Sequence, residues 1–214
     1  MSPDRIYGLD IETDTAHDGL DPAIAPIVAV ALCGESNGSG WSSVFDGAEA
    51  NILLDLDAAI AALPPGIIVT WNGSRFDLPF ISDRARLLGL SLGLRLAPDP
   101  HHQSRHDPLP GHTGGYVATW HSQRHLDAYG VYRADVGASL GIPCGLKPLA
   151  RMVGLTPVEV DAAAIHELST QALHDYVASD AIVARELALR RWPTAQRAID
   201  SLELLAAPTA SNTG

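Results

Sequence analysis

The chain has 214 residues, with 14 Lys+Arg against 25 Asp+Glu and a formal net charge of −11. That length buries a substantial core in what reads as one domain, and a 46% hydrophobic content excludes wholesale disorder. The acidic balance argues against a broad basic groove that grips duplex phosphates. It leaves room for a nucleic-acid enzyme, because divalent cations neutralise carboxylates where a phosphate must sit. Cys33 and Cys144 are too few for a disulfide framework or a thiolate cluster, and read as buried free thiols. No run approaches the roughly 18 apolar residues of a membrane span, and the start lacks the apolar core of a signal peptide, so a cytoplasmic protein is expected.

In chain order, Arg5–Ile11 reads as a short strand entering the core, and Ile27–Cys33 as a second apolar strand. A third, around Trp41–Phe45, pairs with it across the Gly/Ser turn of ESNGSG. Residues 48–62 carry apolar positions at helical spacing and end at Leu63-Pro64-Pro65-Gly66. Ile67–Thr70 is a buried strand, and Pro79 opens a helix that stops near Gly89. Residues 97–124 hold four prolines, three glycines and five of the nine histidines, and are predicted to form a long loop. Leu126–Val131 is predicted as a further strand, Gly145–Val153 as a short helix, and Leu168–Arg191 as a long helix stopped by Pro193. Strands followed by alternating helices predict an α/β architecture, a mixed sheet with helices packed on it.

Three acidic segments carry the chemistry. Asp10 and Glu12 stand two apart on the first strand, so both side chains share one face while Leu9 and Ile11 point to the other. Neighbouring carboxylates repel unless they share a cation; a solvated strand end is the plain alternative. Asp77 follows a buried strand and precedes Leu78-Pro79, where it serves either as a ligand or as a helix N-cap. Tyr176 and Asp180, at i and i+4, lie one turn apart on one face of the last long helix. Asp10, Glu12, Asp77 and Asp180 are hard oxygen ligands of the kind Mg²⁺ and Mn²⁺ prefer, with Asp10, deepest on its strand, as the bridging ligand. Two such ions activate an attacking water and stabilise the leaving oxygen of a phosphodiester.

DIET at 10–13, NGSRFD at 72–77 and YVASD at 176–180 match in order the motifs DxE, NxxxFD and YxxxD. In these the chain resembles the tyrosine branch of the DEDD superfamily of 3′–5′ exonucleases. It is most similar to the proofreading exonuclease domain of family B DNA polymerases and to related stand-alone exonucleases, over about Ile6 to Leu189. The resemblance implies a ribonuclease H-like fold, a five-stranded mixed sheet flanked by helices whose first three strands are antiparallel. It implies Asp10, Glu12, Asp77 and Asp180 as ligands of two divalent ions, Mg²⁺ or Mn²⁺. Tyr176 would position or help deprotonate the nucleophilic water, and Asn72 and Phe76 would shape the groove at the 3′ end. The histidine branch places its histidine five residues before the last Asp; here that position is Asp175.

Asp127, in a segment similar to the HxDL of the stand-alone enzymes, is an auxiliary candidate that supports the metal site, organises a nearby loop or acts directly. Lys147, the only lysine, lies in a segment similar to LK-x-LA and either approaches the scissile phosphate or is a solvated helix lysine. Arg75 is a candidate phosphate contact, Trp120 a stacking surface, and Arg105 and Arg124 further phosphate contacts. Trp71 is either core or substrate contact. His101, His102, His106 and His112 with Asp107 fit no regular zinc spacing, and a mobile flap over a single strand is the expected role.

The expected activity is metal-dependent release of nucleoside 5′-monophosphates from the 3′ end of single-stranded or frayed DNA. An exoribonuclease with the same site, an endonuclease of the wider group and a catalytically silent nucleic-acid-binding protein are the competing readings. Partners expected are single-stranded nucleic acid with a free 3′ end, DNA before RNA, no membrane, and a repair or replication protein that recruits the enzyme. Residues 1–192 are expected to form the exonuclease domain and 193–214 a largely flexible extension.

Overall fold

A computed structural model describes residues 5–16, 18–103 and 109–206. Seven strands form one sheet: β1 (Ile6–Thr13), β2 (Ile27–Ser36), β3 (Ser39–Asp46), β4 (Ile67–Thr70), β5 (Leu94–Gln103), β6 (Gly114–Trp120) and β7 (Gln123–Asp127). Their order is β3-β2-β1-β4-β7-β6-β5. β1, β2 and β3 pair antiparallel, as expected, while β4 runs parallel to both β1 and β7. The mixed sheet flanked by helices is consistent with a ribonuclease H-like fold. The five-strand expectation is corrected to seven by the pair β5 and β6, which extends the sheet beyond β7.

That pair occupies half of the stretch predicted to be loop. Pro98 and Pro100 lie in β5, which has the sheet edge to itself, so a missing N–H on the outer side costs no ladder bond. Edge-strand prolines and paired strands are compatible, and composition alone hides that. The next strand also differs from expectation: it spans Gln123–Asp127, and Ala128 already starts helix α3 (Ala128–Tyr132), capped by Asp127 through the Tyr129 N–H. Between β2 and β3, Asn37 (φ 52°) and Gly38 (φ 77°) both take left-handed backbone, the form that closes a two-residue hairpin without splaying its strands.

Helices α1 (Glu49–Ala62) and α2 (Asp77–Leu87) cover one face of the sheet. Their Ile52, Leu53, Leu56, Phe80 and Ile81 pack with Tyr7, Leu9 and Ile11 of β1 and with Val30 and Leu32 of β2. The other face is closed by α3, α5 (Leu146–Met152), α6 (Thr170–Arg190) and α7 (Trp192–Ala206), while the short α4 (Ala138–Leu140) is exposed. Pro193 does not end helical structure; it sits in the first turn of α7, where its missing N–H has no partner to lose. Ala195 and Ile199 of α7 are buried against Ile6, Ile67, Val69 and Leu126, so helical packing continues past the expected boundary at 192. Residues 207–214 lie outside the described residues.

One close approach sets the position of α6. On its side of the sheet, β1 and β2 present Gly8, Ala29, Ala31 and Cys33, and Val177 and Ala181 pack onto these small residues. A Cβ at Gly8 would stand 2.2 Å from the Ala181 carbonyl oxygen. Only glycine lets the helix lie this close, which brings the Tyr176–Asp180 turn down onto the strand carrying Asp10 and Glu12.

Candidate active site

β4 pairs with Ile6, Tyr7 and Gly8 only, so β1 runs on alone along that edge. Asp10 and Glu12 stand on this overhang, facing α6, opposite Ala31 and Ala29 of β2. Ligand oxygens of Asp10, Glu12 and Asp180 lie within 4.8 Å of one another, the one such acidic cluster among the described residues. Asp77, buried as the first residue of α2, lies outside this trio. It lies near the free edge of β1, where the Ile11 amide and its own amide favour the charged carboxylate. The N-cap position falls to Phe76, without a side-chain cap bond.

Burial and mutual repulsion penalise the charges. Burial first, then Asp77, Glu12 and Asp180, hold the Asp10 carboxyl well above its ordinary range, with Lys147 pulling down. Glu12 is pushed up to about 8 by burial and then by Asp180. Asp77 rises to about 7, chiefly by burial, and Asp180 rises for the same reason against the pull of Lys147. Burial and the charges of Glu12, Asp180 and Asp10 raise the Tyr176 phenol far above its usual value. Asp10, Glu12 and Asp180 share a single lysine, Lys147, too little positive charge to balance them. Its ammonium pairs with Asp180 Oδ1 at 2.9 Å. Three converging carboxylates against one ammonium leave negative charge that fits a hard divalent cation, and Asp10, Glu12 and Asp180 can hold one.

Lys147, on α5, is inside the site: its ammonium lies 3.7 Å from the centre of the Tyr176 ring and donates to the Val158 carbonyl at 2.9 Å. The Val158 N–H in turn bonds to Ser179 Oγ at 2.9 Å, within the same helical turn as Asp180. Neither contact has a sequence signal, because Val158 lies in an irregular loop and Ser179 occupies a variable place in the motif. The same is true of Thr15, whose hydroxyl meets His166 Nδ1 at 2.9 Å from 151 positions away.

The turn leading into Asp77 begins at Asn72, whose backbone is left-handed (φ 67°) and whose N–H bonds to Asp127. Arg75 is half-buried in that turn, and Phe76 packs on Phe80 with ring centres 5.3 Å apart. Trp120 does not join them. It is buried in the core, its indole N–H bonded to Asp57 at 2.6 Å, which corrects the expectation of a stacking surface. The Gly93 N–H bonds to the same Asp57 oxygen at 2.7 Å, so one carboxylate of α1 holds both the start of β5 and the end of β6. Trp71 lies between Tyr129 and Tyr132, at 6.1 and 5.5 Å. Arg105, His106 and Asp107, and the side chains of His101 and His102, lie outside the described residues. His112 is engaged by Asp83 at 2.8 Å and Tyr116 at 2.5 Å.

The architecture and the acidic cluster define an α/β protein with a candidate metal site. A family profile described as "DNA polymerase family B, exonuclease domain" matches residues 44–136. The DNA polymerase of Pyrococcus glycovorans is 28% identical over 141 residues, covering 62% of this chain and 17% of that relative. DNA polymerase 2 of Aeropyrum pernix is 25% identical over 112 residues, 52% of this chain and 13% of the relative. The family B DNA polymerase of Pyrobaculum calidifontis superposes with a TM-score of 0.65 at 20% identity, covering 90% of this chain and 25% of that one. The chain thus resembles the exonuclease domain of family B DNA polymerases, and spans less than a fifth of the length of these sequence relatives.

Proposed function

We propose that the protein is a metal-dependent 3′–5′ exonuclease that removes nucleoside 5′-monophosphates from single-stranded or frayed DNA. The observation that supports this best is the convergence of Asp10, Glu12 and Asp180 within 4.8 Å, with Tyr176 one helical turn from Asp180. Its catalytic unit is residues 1–192, extended by the packed part of α7.

Asp10, Glu12, Asp77 and Asp180 would hold two divalent ions, Mg²⁺ or Mn²⁺. When bound, these supply the charge that lowers the pKa of a water and neutralises the departing oxygen. Tyr176 stays a neutral phenol, because burial and then the surrounding carboxylates disfavour its ionisation, and it orients the water through its O–H. That water attacks the terminal phosphorus in line. The bond from phosphorus to the 3′ oxygen of the penultimate nucleotide breaks, and that oxygen leaves with a proton as the new 3′ hydroxyl. Lys147, Arg75, Asn72 and Phe76 line the approach of the 3′ end, Lys147 and Arg75 toward phosphate and Phe76 toward a base. The net charge of −11 leaves strand binding dependent on the metal, so recruitment by a repair or replication protein would supply affinity.

The test compares a linear single strand, its circular form and the matching RNA, with Mg²⁺, Mn²⁺ or chelator. Shortening of the linear DNA alone, from its 3′ end and only with metal, is expected. Cutting of the circle would replace the reading by an endonuclease, and faster loss of RNA by an exoribonuclease.

A further inference from the structure

We infer that Asp127 is a positioning residue, which holds the Asn72–Asp77 turn so that Asp77 reaches the metal site, and that it binds no metal itself. The inference rests on the proposed metal centre for the identity of Asp77 as a ligand. Asp127 ends β7, in parallel register with Thr70 at the end of β4. From there its carboxylate reaches over the neighbouring strand. Oδ1 accepts the Asn72 N–H at 2.9 Å and the Tyr129 N–H at 3.1 Å. Oδ2 accepts the Ser74 N–H at 3.3 Å and the Ser74 hydroxyl at 2.5 Å. A carboxylate offers about four lone-pair positions. All are taken by donors of the chain, which leaves none directed at a cation.

The clamped turn is one that would not hold its shape unaided. Asn72 is left-handed, at a cost for any residue with a side chain. The carbonyl of Asn72 receives the N–H groups of both Arg75 and Phe76, and Gly73 receives that of Leu78. A Cβ at Gly73 would fall 2.2 Å from Thr70 Oγ1, so the turn is pressed against the end of β4. Thr70 is itself fixed by His125 Nε2 at 2.8 Å, one strand away and two residues before Asp127. The turn ends at Asp77, buried as the first residue of α2 and close enough to β1 for the Ile11 amide to favour its charged form. Partners behind a ligand of this kind typically change metal affinity or activity by about 10- to 100-fold.

The experiment uses the full chain with Asp127→Asn, the milder Ser74→Ala, Asp77→Asn and the double variant Asp77→Asn/Asp127→Asn. Amide exchange is read at Asn72, Ser74 and Tyr129 without metal, and Mn²⁺ affinity by titration. We expect at least about 10-fold faster exchange at those amides in Asp127→Asn, with a smaller rise in Ser74→Ala. Mn²⁺ binding should weaken about 10- to 100-fold in Asp127→Asn, and the double variant should bind no worse than Asp77→Asn alone. Unchanged exchange in both single variants would overturn the clamp, and fully additive losses of Mn²⁺ affinity would overturn its action through Asp77. Wild-type protein that takes up no Mn²⁺ while showing the expected exchange would instead overturn the metal-centre reading, and with it the positioning of a ligand.

Discussion

The ammonium of Lys147 lies 2.9 Å from Asp180 Oδ1 and donates to the Val158 carbonyl, also at 2.9 Å. With three N–H donors it serves both partners at once, and so holds a positive charge beside the acidic cluster. Replacing Lys147 by Met removes a positive charge that opposes metal entry and that the strand would meet. Mn²⁺ affinity is expected to rise a few-fold and KM for single-stranded DNA to rise about 10-fold, measured by calorimetric titration and steady-state digestion. Unchanged KM would remove Lys147 from the substrate path.

The raised carboxyl groups tie stability to pH. Glu12 goes from an ordinary 4.5 to about 8 and Asp77 from 3.8 to about 7, so the folded protein holds protons that the unfolded chain has released. Metal-free stability from these groups is full below about pH 4 and is lost as pH rises toward 8. His125 opposes this lower down: burial drops it to about 4, so between there and its ordinary 6.5 stability rises with pH. The two separate above pH 6.5. Metal-free melting temperature should fall between pH 6.5 and 8, and Mg²⁺ should abolish most of the fall. Glu12→Gln should raise the metal-free melting temperature at pH 8 by about 2–4 °C, the shift expected for about 1 kcal/mol, while turnover drops at least about 100-fold.

Tyr176 has its ionisation pushed upward, which separates a water-orienting role from a general base. Tyr176→Phe is expected to lower kcat about 100-fold with little change in KM. The wild-type pH–rate profile should then show no limb from a phenol up to about pH 10, the ordinary tyrosine value. A limb lost in the Phe variant would assign the proton to Tyr176 instead.

Ile199 is buried in α7 against residues of β1, β4 and β7. Ile199→Ala is expected to cost about 2–5 kcal/mol in denaturant unfolding. A loss within about 0.5 kcal/mol would mean that the fold ends before α7 and that the helix is an appendage.

How much of this was legible beforehand follows from which physics each feature uses. The alternation of β1 assigns Leu9 and Ile11 to one face and Asp10 and Glu12 to the other, and the i, i+4 spacing joins Tyr176 to Asp180; both are local. The approach that makes them neighbours depends on Gly8 lying under Ala181, a contact between distant segments. Strands β5 and β6 were hidden because their prolines and glycines read as breakers, although the edge strand β5 tolerates its prolines. Trp120 shows the opposite error: among loop-like residues its indole suggested exposure, and Asp57 on α1 holds it in the core. Lys147 was found, but its anchors at Val158 and Ser179 were not, since a backbone carbonyl leaves no mark in a sequence.

The most direct measurement is digestion of a 5′-labelled single-stranded DNA by the wild-type protein and by Asp10→Ala. With Mg²⁺ or Mn²⁺ the wild type should produce a ladder shortening from the 3′ end, absent with chelator and absent in the variant. An equal ladder from Asp10→Ala, or an intact strand with wild-type protein and either metal, would contradict the assignment of this acidic cluster as the catalytic centre.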